Sequence, residues 1–281
     1  MMKTEFTLGY SPCPNDCFIF DALVHQKIDT EGFTFKPYIS DVEDLNKKAF
    51  NGDLDITKLS FNAFGQVLNN YVLLDAGAAL GKGCGPLVIS KNEIKNPQEA
   101  LTQLKIGIPG KHTTANLLFS IAFPKAQYKT ELIFSNIEEA LLSGKIDAGV
   151  IIHENRFTYE KKGLKKIIDL GEFWETTTGC AIPLGGIAIQ RNIPLAVQQK
   201  IESLVRKSVA FAFNNPNESK AYVKAHAQEM DEVVMQQHIQ LYVNEYSLSL
   251  GKVGREAIEN LFKKGAETKF FSTPTTNLFV Q

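Results

Sequence analysis

The sequence contains no run of about 20 apolar residues, the length that a helix needs to cross a bilayer. Its first residues, MMKTEFTLGYSPCP, hold one lysine but no apolar core of the kind found in secretion signals. We therefore expect a cytoplasmic protein that does not insert into membranes.

An excess of charge of either sign is also missing. The 281 residues include 30 Lys and Arg and 31 Asp and Glu, which gives a formal net charge of -1 with histidine neutral. The sequence pI is about 6.5. No stretch interleaves basic and aromatic residues, the combination with which proteins contact phosphates and stack on bases. These features argue against a nucleic acid as the partner and favour a small molecule.

Cysteine is scarce, with four residues at positions 13, 17, 84 and 180. Four scattered cysteines are too few for a disulfide framework in a protein of this length. Cys13 and Cys17 are spaced C-x3-C, but no second Cys or His pair follows at the distance typical of zinc fingers. We expect reduced thiols and no metal site. None of the cysteines lies in a recognisable Cys/His catalytic signature.

Hydrophobic residues make up 44% of the chain and charged residues 22%, as in folded globular proteins. Strand-like apolar segments alternate with helical segments in two blocks, with a crossing near Leu87–Ser90 and a return near Gly186–Gln190. This pattern predicts a two-lobed α/β protein. Residues 1–90 plus 190–281 would form a discontinuous first lobe, and residues 91–189 the second. Two connections make a hinge beside a central cleft.

The last third of the chain is predicted to be helical and to brace the first lobe. The expected helices are Leu195–Phe213, Glu218–Glu229, Asp231–Tyr246 and Gly254–Lys264. Near the start of the chain, another helix is expected from about Cys17, with Asn15 or Asp16 as its N-cap. Phe173–Cys180 is predicted to be a loop.

Gly149–Ile152 is a short apolar run, which predicts an inner strand of a parallel sheet. His153 follows at its carboxyl end, where open α/β sheets bind ligands and where an imidazole is well placed for proton transfer. The alternative is a histidine that caps the strand and bonds to backbone groups. Both interpretations stay open on the local sequence. Glu154 is a candidate to orient His153, whereas Arg156 is equally consistent with a structural ion pair.

Three more polar segments follow predicted strands, at Ser11–Asp16, Lys58–Asn62 and Lys111–Ala115. In the last of these, Thr113 or Thr114 is expected to cap a helix whose first N–H groups can bind an anion. The alternative for each segment is an ordinary turn between a strand and a helix. If the lobes face each other, all three segments line the cleft together with His153.

Four segments, in order, resemble the 1,4-dihydroxy-6-naphthoate synthases: SPCPNDCFIF, DITKLSFNAF, GKHTTANLL and GVIIHENRFTY. Members of that family act on the futalosine route to menaquinone and convert cyclic dehypoxanthinyl futalosine to the naphthoate. The resemblance covers nearly the whole chain. It implies a periplasmic-binding-protein type II fold used as an enzyme, without a metal, flavin or nicotinamide cofactor.

The resemblance also implies roles for individual residues. The histidine of the GVIIHE motif is the family's catalytic base, here His153. The residues that would contact the substrate are Lys58, Leu59, Ser60, Thr114 and Ala115. Asn15 is a weaker candidate for contact with a substrate hydroxyl. Cys17 stands where a threonine is expected, which argues against a catalytic thiol at that position.

These assignments predict that neutral His153 removes a proton from a small carboxylate substrate. A carbon–carbon bond then breaks in a retro-aldol sense, and aromatisation drives the release. Two alternatives remain: chorismate dehydratase of the same pathway, which has a similar fold, and a non-catalytic solute-binding protein, which would tolerate His153→Gln. The sequence leaves the oligomeric state open between a monomer and a homodimer.

Overall fold

The computed structural model describes residues 3–227 and 231–281. The strands in this part of the chain are β1 (Glu5–Tyr10), β2 (Thr34–Ile39), β3 (Ile56–Ser60), β4 (Tyr71–Leu73), β5 (Ala79–Gly81), β6 (Leu87–Ser90), β7 (Ile106–Ile108), β8 (Lys129–Glu131), β9 (Ala148–Ile151), β10 (Lys165–Asp169) and β11 (Ile182–Gln190). They form two separate sheets, so the predicted two-lobed α/β fold is confirmed.

Helices connect and cover the two sheets. They are α1 (Pro14–Val24), α2 (Val42–Asn51), α3 (Phe61–Phe64), α4 (Pro97–Ala100), α5 (Thr114–Ala122), α6 (Ile137–Leu142), α7 (Asn155–Thr158), α8 (Leu170–Thr178), α9 (Leu195–Asn214), α10 (Lys220–His226), α11 (Glu232–Tyr242), α12 (Glu245–Leu248) and α13 (Gly251–Glu267). Among the described residues, none of these helices has the length and apolar character needed to span a membrane.

The first sheet has the order β2-β1-β3-β11-β4, with β5 paired to β11. β1 runs parallel to β2 and β3, whereas β11 is antiparallel to β3, β4 and β5. Every residue of β3 is buried, because helices cover the sheet on both sides. Because β1 and β3 are parallel, their carboxyl ends lie at the same edge of this sheet.

The second sheet has the order β10-β6-β9-β7-β8. All four residues of β9 are buried, as the apolar run predicted. The sheet is mixed, because β9 is parallel to β7 but antiparallel to β6. The expectation of a parallel sheet around this strand was therefore correct for one neighbour and wrong for the other.

The chain crosses between the sheets at places other than residues 90 and 190. Leu87–Ser90, predicted to end the first lobe, is a strand of the second sheet because it pairs with both β9 and β10. Ile182–Gln190 lies wholly in the first sheet, where it pairs with three strands. The sheets therefore shift both predicted boundaries toward the start of the chain.

Phe173–Cys180 was predicted to be a loop, but most of it belongs to α8. Asp169 caps this helix by accepting hydrogen bonds from the N–H groups of Gly171 and Glu172. Trp174 anchors the helix in the core with 1% of its surface exposed. The cap and the buried tryptophan outweigh the weak helix propensity of the threonines.

Two predicted helices near the ends of the chain have different bounds. α1 begins at Pro14, because proline lacks an N–H and fits the first turn of a helix. Asn15 and Asp16 thus lie inside α1 and do not cap it. The predicted helix Glu218–Glu229 is represented by α10, and its last two positions lie outside the described residues.

The carboxyl-terminal helices pack on the first sheet, as expected. α1 packs against α9, α10 and α11. Ile201, Leu204 and Val205 of α9 are completely buried in the core beneath this sheet. In addition to this packing, α11 extends the side chain of His238 into the cleft between the sheets.

Candidate active site

The carboxyl ends of β1, β3, β7 and β9 all open onto one cleft between the sheets. Its empty volume is about 650 Å³, part of which is open to solvent. The residues predicted for the site all line it: Asn15, Lys58, Leu59, Ser60, Thr114, Ala115 and His153. The structure thus brings these residues together, whereas the role of each stays a prediction.

His153 lies two positions beyond the end of β9, with its backbone in the left-handed region at φ 58°. For a residue other than glycine this conformation costs about 1 to 2 kcal/mol, and such strain is concentrated at functional sites. The turn directs the ring into the cleft, where it forms a T-shaped contact with Phe134 at 4.9 Å between centroids.

The imidazole of His153 is held in its neutral form. Burial lowers its pKa from 6.5 to about 4, with an opposing effect from Asp16 and a supporting one from Lys58. Its Nδ1 lies 3.3 Å from the sulfur of Cys13, and its buried Nε2 has no hydrogen-bond partner among the described residues. Among the described residues, neither ring nitrogen bonds to a backbone group, as it would in a histidine that caps the strand.

Lys58 and Asp16 form a buried ion pair at 2.6 Å, with side chains 8% and 2% exposed. Asp16 also accepts hydrogen bonds from the N–H and hydroxyl of Ser11 and from the amide of Asn15. The charge of Lys58 is therefore neutralised within the protein. Sequence reasoning considered Asp16 as a helix cap and as the end of a polar segment that lines the cleft, and gave it no partner. Its position between Pro14 and an apolar stripe gave no further signal.

Ser60 and Thr114 use their polar groups differently. Asn46 donates from Nδ2 to the hydroxyl of Ser60 at 3.1 Å, which leaves the hydroxyl hydrogen free to donate into the cleft. The Thr114 hydroxyl instead donates to the carbonyl of Leu184 at 2.6 Å. Because Leu184 lies in the first sheet and Thr114 begins a helix of the second lobe, this bond joins the lobes.

The N-cap of α5 is Thr113, one of the two threonines predicted for that position. Its hydroxyl accepts from the N–H of Asn116 at 3.2 Å and donates to the carbonyl of Gly110 at 2.8 Å. The first N–H groups of a helix have no partner within the helix. The cap satisfies the N–H of Asn116, and the first residues of α5, Thr114 and Ala115, line the cleft.

His238 of α11 was missed by sequence reasoning. It lines the cleft and is completely buried, and its Nε2 lies 3.0 Å from Oδ1 of Asn15. Its position on the face of α11 formed by Val234, Met235 and Tyr242 placed a histidine in an apolar stripe. That placement was the one available signal.

Arg156 forms an ion pair with a structural role, as one of the two interpretations of this residue predicted. It lies 2.5 Å from Asp169, the cap of α8, and donates to the carbonyl of Gly85. These contacts tie the turn after β9 to the chain segment that enters the second sheet. Arg156 therefore supports the backbone that carries His153.

Cys13, His153 and Glu154 are donor types that bind metals, and their donor atoms lie within 4.8 Å of one another. Burial raises the pKa of the Cys13 thiol well above 9.0, and the nearby Glu154 raises it further. A metal ion would have to displace that proton, since only a thiolate is a good ligand. Within this cluster, the Cys13 sulfur and Nδ1 of His153 are in hydrogen-bond contact.

Solved structures identify the class of the fold. The alkanesulfonate-binding protein of Xanthomonas axonopodis pv. citri matches with a TM-score of 0.72 at 12% identity, over 99% of this chain and 97% of that one. A crystal structure of an Archaeoglobus fulgidus protein matches with a TM-score of 0.89 at 34% identity, over 96% and 99%. The chain thus has the two-lobed fold of periplasmic solute-binding proteins, with ionisable side chains in its cleft.

The family follows from the sequence matches. A family model described as menaquinone biosynthesis matches residues 6–267. The 1,4-dihydroxy-6-naphthoate synthase of Thermus thermophilus is 42% identical over 274 residues, which are 97% of this chain and 98% of that protein. The chain belongs to the menaquinone biosynthesis family and, within it, to the 1,4-dihydroxy-6-naphthoate synthases. The predicted family and enzyme class are confirmed.

Proposed function

We propose that the substrate is cyclic dehypoxanthinyl futalosine and that His153 is the base that starts its conversion to 1,4-dihydroxy-6-naphthoate. The observation that carries this proposal is the state of the imidazole. It is neutral and partly buried, and its Nε2 is buried without a hydrogen-bond partner among the described residues, in the cleft between the two sheets. A base in that state is ready to accept a proton.

The carboxylate of the substrate binds at the beginning of α5. A naphthoate product carries a carboxylate, and the backbone N–H groups of Thr114 and Ala115 suit an anion. Ser60 donates its free hydroxyl hydrogen to the same group. The ion pair of Lys58 and Asp16 acts on the substrate through its electric field. Asn15 belongs to the same network, because its amide donates a hydrogen bond to Asp16. Leu59 supplies apolar surface.

Anchoring the carboxylate fixes the reacting bond relative to His153. The neutral imidazole removes a proton from the substrate, and the carbon–carbon bond to the sugar-derived fragment breaks in a retro-aldol sense. The new aromatic ring makes this step favourable. A positioned general base contributes about 10² to 10⁴ in rate. Closure of the hinge between the lobes excludes water from the reaction.

The direct test is to incubate the purified protein with cyclic dehypoxanthinyl futalosine and to detect the naphthoate by mass. We expect product with the wild-type protein and a loss of about 10² to 10⁴ in kcat for His153→Ala. His226→Ala is the matched control, because His226 contacts Tyr222 and does not line the cleft. Binding of the compound without turnover would instead favour a solute-binding protein.

A cytoplasmic location and a monomeric or homodimeric state stay predictions. The four cysteines are all free, which suits a reducing compartment. Size-exclusion chromatography with light scattering measures the oligomeric state directly.

A further inference from the structure

His238 brings a second imidazole into the cleft beside His153. The two rings lie 6.1 Å apart between centroids, with 12° between their planes. The side chain of His238 is completely buried, although histidine is polar and is usually at least partly exposed. The mechanism proposed above uses His153 alone, so this second imidazole has no role in it.

Hydrogen bonds fix which nitrogen of His238 carries a proton. Lys58 and Asn15 both donate to Oδ1 of Asp16, at 2.6 and 2.8 Å. Because an ionised carboxylate only accepts hydrogen bonds, Asn15 must turn its NH2 group toward Asp16 and its Oδ1 toward His238. The Nε2 of His238, 3.0 Å from that oxygen, is therefore the donor. The neutral ring carries its lone pair on Nδ1.

That Nδ1 is a proton acceptor directed at Glu154. It has no hydrogen-bond partner within residues 3–227 and 231–281, and it lies 3.8 Å from Oε2 of Glu154. A carboxylate oxygen of Glu154 is also within 4.8 Å of a ring nitrogen of His153 and of the Cys13 sulfur. A Glu154 carboxylate oxygen thus lies within 3.8 Å of one imidazole and within 4.8 Å of the other.

The surroundings oppose a positive charge on His238 unless a carboxylate lies beside it. Burial lowers the pKa of His238 well below 6.5, and His153 and Lys58 lower it further. The groups that face His238 from the elements around it are Asn15, Lys58, His153, Glu154 and Tyr242. Glu154 stabilises a protonated imidazole, whereas two charged imidazoles repel each other.

We propose that His238 is a positioning residue that acts through Glu154 and takes over the proton that His153 removes from the substrate. The proposal rests on the function proposed above. The substrate loses one proton to His153, which passes it to the Glu154 carboxylate, and Glu154 passes it to Nδ1 of His238. His153 regains its lone pair, Glu154 is again ionised, and His238 carries the positive charge. The base is then ready for a second proton transfer in the same turnover.

His238→Gln tests this path, because glutamine keeps an amide N–H for Asn15 and removes the accepting nitrogen. We expect kcat to fall about 10²-fold with KM unchanged, and the acid limb of the kcat profile against pH to lose one ionisation. His226→Gln, on a histidine that packs on Tyr222, is the matched control. A His238→Gln variant with the wild-type kcat and pH profile would overturn the proposal, and thermal unfolding of the variant checks that it is folded.

Nitrogen NMR of protein with isotope-labelled histidines tests the proposal without any substrate. We expect neutral His238 to carry its proton on Nε2 and to be protonated at lower pH in Glu154→Gln, because the carboxylate that stabilises the imidazolium is lost. A proton on Nδ1 of neutral His238, or no response to Glu154→Gln, contradicts the proposal. If the wild-type protein forms no naphthoate, the proposed function fails, and the NMR titration still decides whether the proton path exists.

Discussion

The sulfur of Cys13 lies 3.3 Å from Nδ1 of His153, although 140 positions separate them in the chain. Cys13 precedes α1 in the first lobe, and His153 follows β9 in the second. The contact therefore crosses the cleft and orients the imidazole from the lobe that does not carry it. Burial keeps the Cys13 thiol protonated, so we infer a hydrogen-bonding role and not a nucleophilic one.

Removing this contact should weaken catalysis without abolishing it. For Cys13→Ala we expect kcat to fall about five- to tenfold, the equivalent of one ordinary hydrogen bond, with little change in KM. Cys13→Ser should retain more activity because a hydroxyl can bond to Nδ1. Steady-state kinetics of both variants measure the difference. A complete loss of activity in Cys13→Ser would indicate that the thiol itself reacts.

Acid should destabilise the fold through His153. Its pKa is 6.5 in the unfolded chain and about 4 in the folded protein. As the pH falls through this window, the unfolded state binds a proton that the folded state does not, so the free energy of unfolding decreases by up to about 3 kcal/mol. Above the window the histidine is neutral in both states and this loss is absent.

Urea unfolding of the wild type and of His153→Gln across this pH window checks the effect. The variant should lose less stability on acidification, because glutamine does not titrate. Equal slopes in the two proteins would show that other groups cause the acid sensitivity.

The buried pair of Lys58 and Asp16 should be sensitive to the loss of one partner. Asp16→Asn leaves the ammonium of Lys58 buried without its counter-charge, and we expect a loss of about 3 to 5 kcal/mol in the free energy of unfolding. The control is Lys36→Met. It breaks the pair of Lys36 with Glu5, whose side chains are 67% and 56% exposed, and should change stability by less than about 1 kcal/mol. Chemical denaturation compares the two variants.

Gly85 should not tolerate a side chain. A Cβ at this position would lie 2.2 Å from the backbone N of Gly171, where the chain enters the second sheet beside α8. We expect Gly85→Ala to cost about 2 kcal/mol or more, because neither backbone can move without disturbing the sheet. Gly144→Ala, with open space around its Cβ and φ +74°, should cost about 1 kcal/mol. The denaturant concentrations at the unfolding midpoints of the two variants measure this difference in stability.

Predictions from the sequence succeeded where neighbours along the chain decide the structure. An apolar run followed by His153 gave a buried strand with the histidine beyond its end, and Thr113 capped its helix as a threonine before an apolar segment does. Predictions failed where residues distant in the chain determine the structure. Leu87–Ser90 fits either sheet by its own pattern, and its pairing with β9 and β10 assigns it to the second.

By itself, the sequence determined the family, the two α/β lobes and the histidine at the end of a buried strand, because contiguous motifs and apolar periodicity are local properties of a chain. Only the tertiary structure decided that Cys13 meets His153 and that Asn15 meets His238. The residues of the second pair are 223 positions apart, and no local pattern encodes which polar groups meet across that distance. Packing of α11 against α1 brings them together, and burial then sets their protonation states.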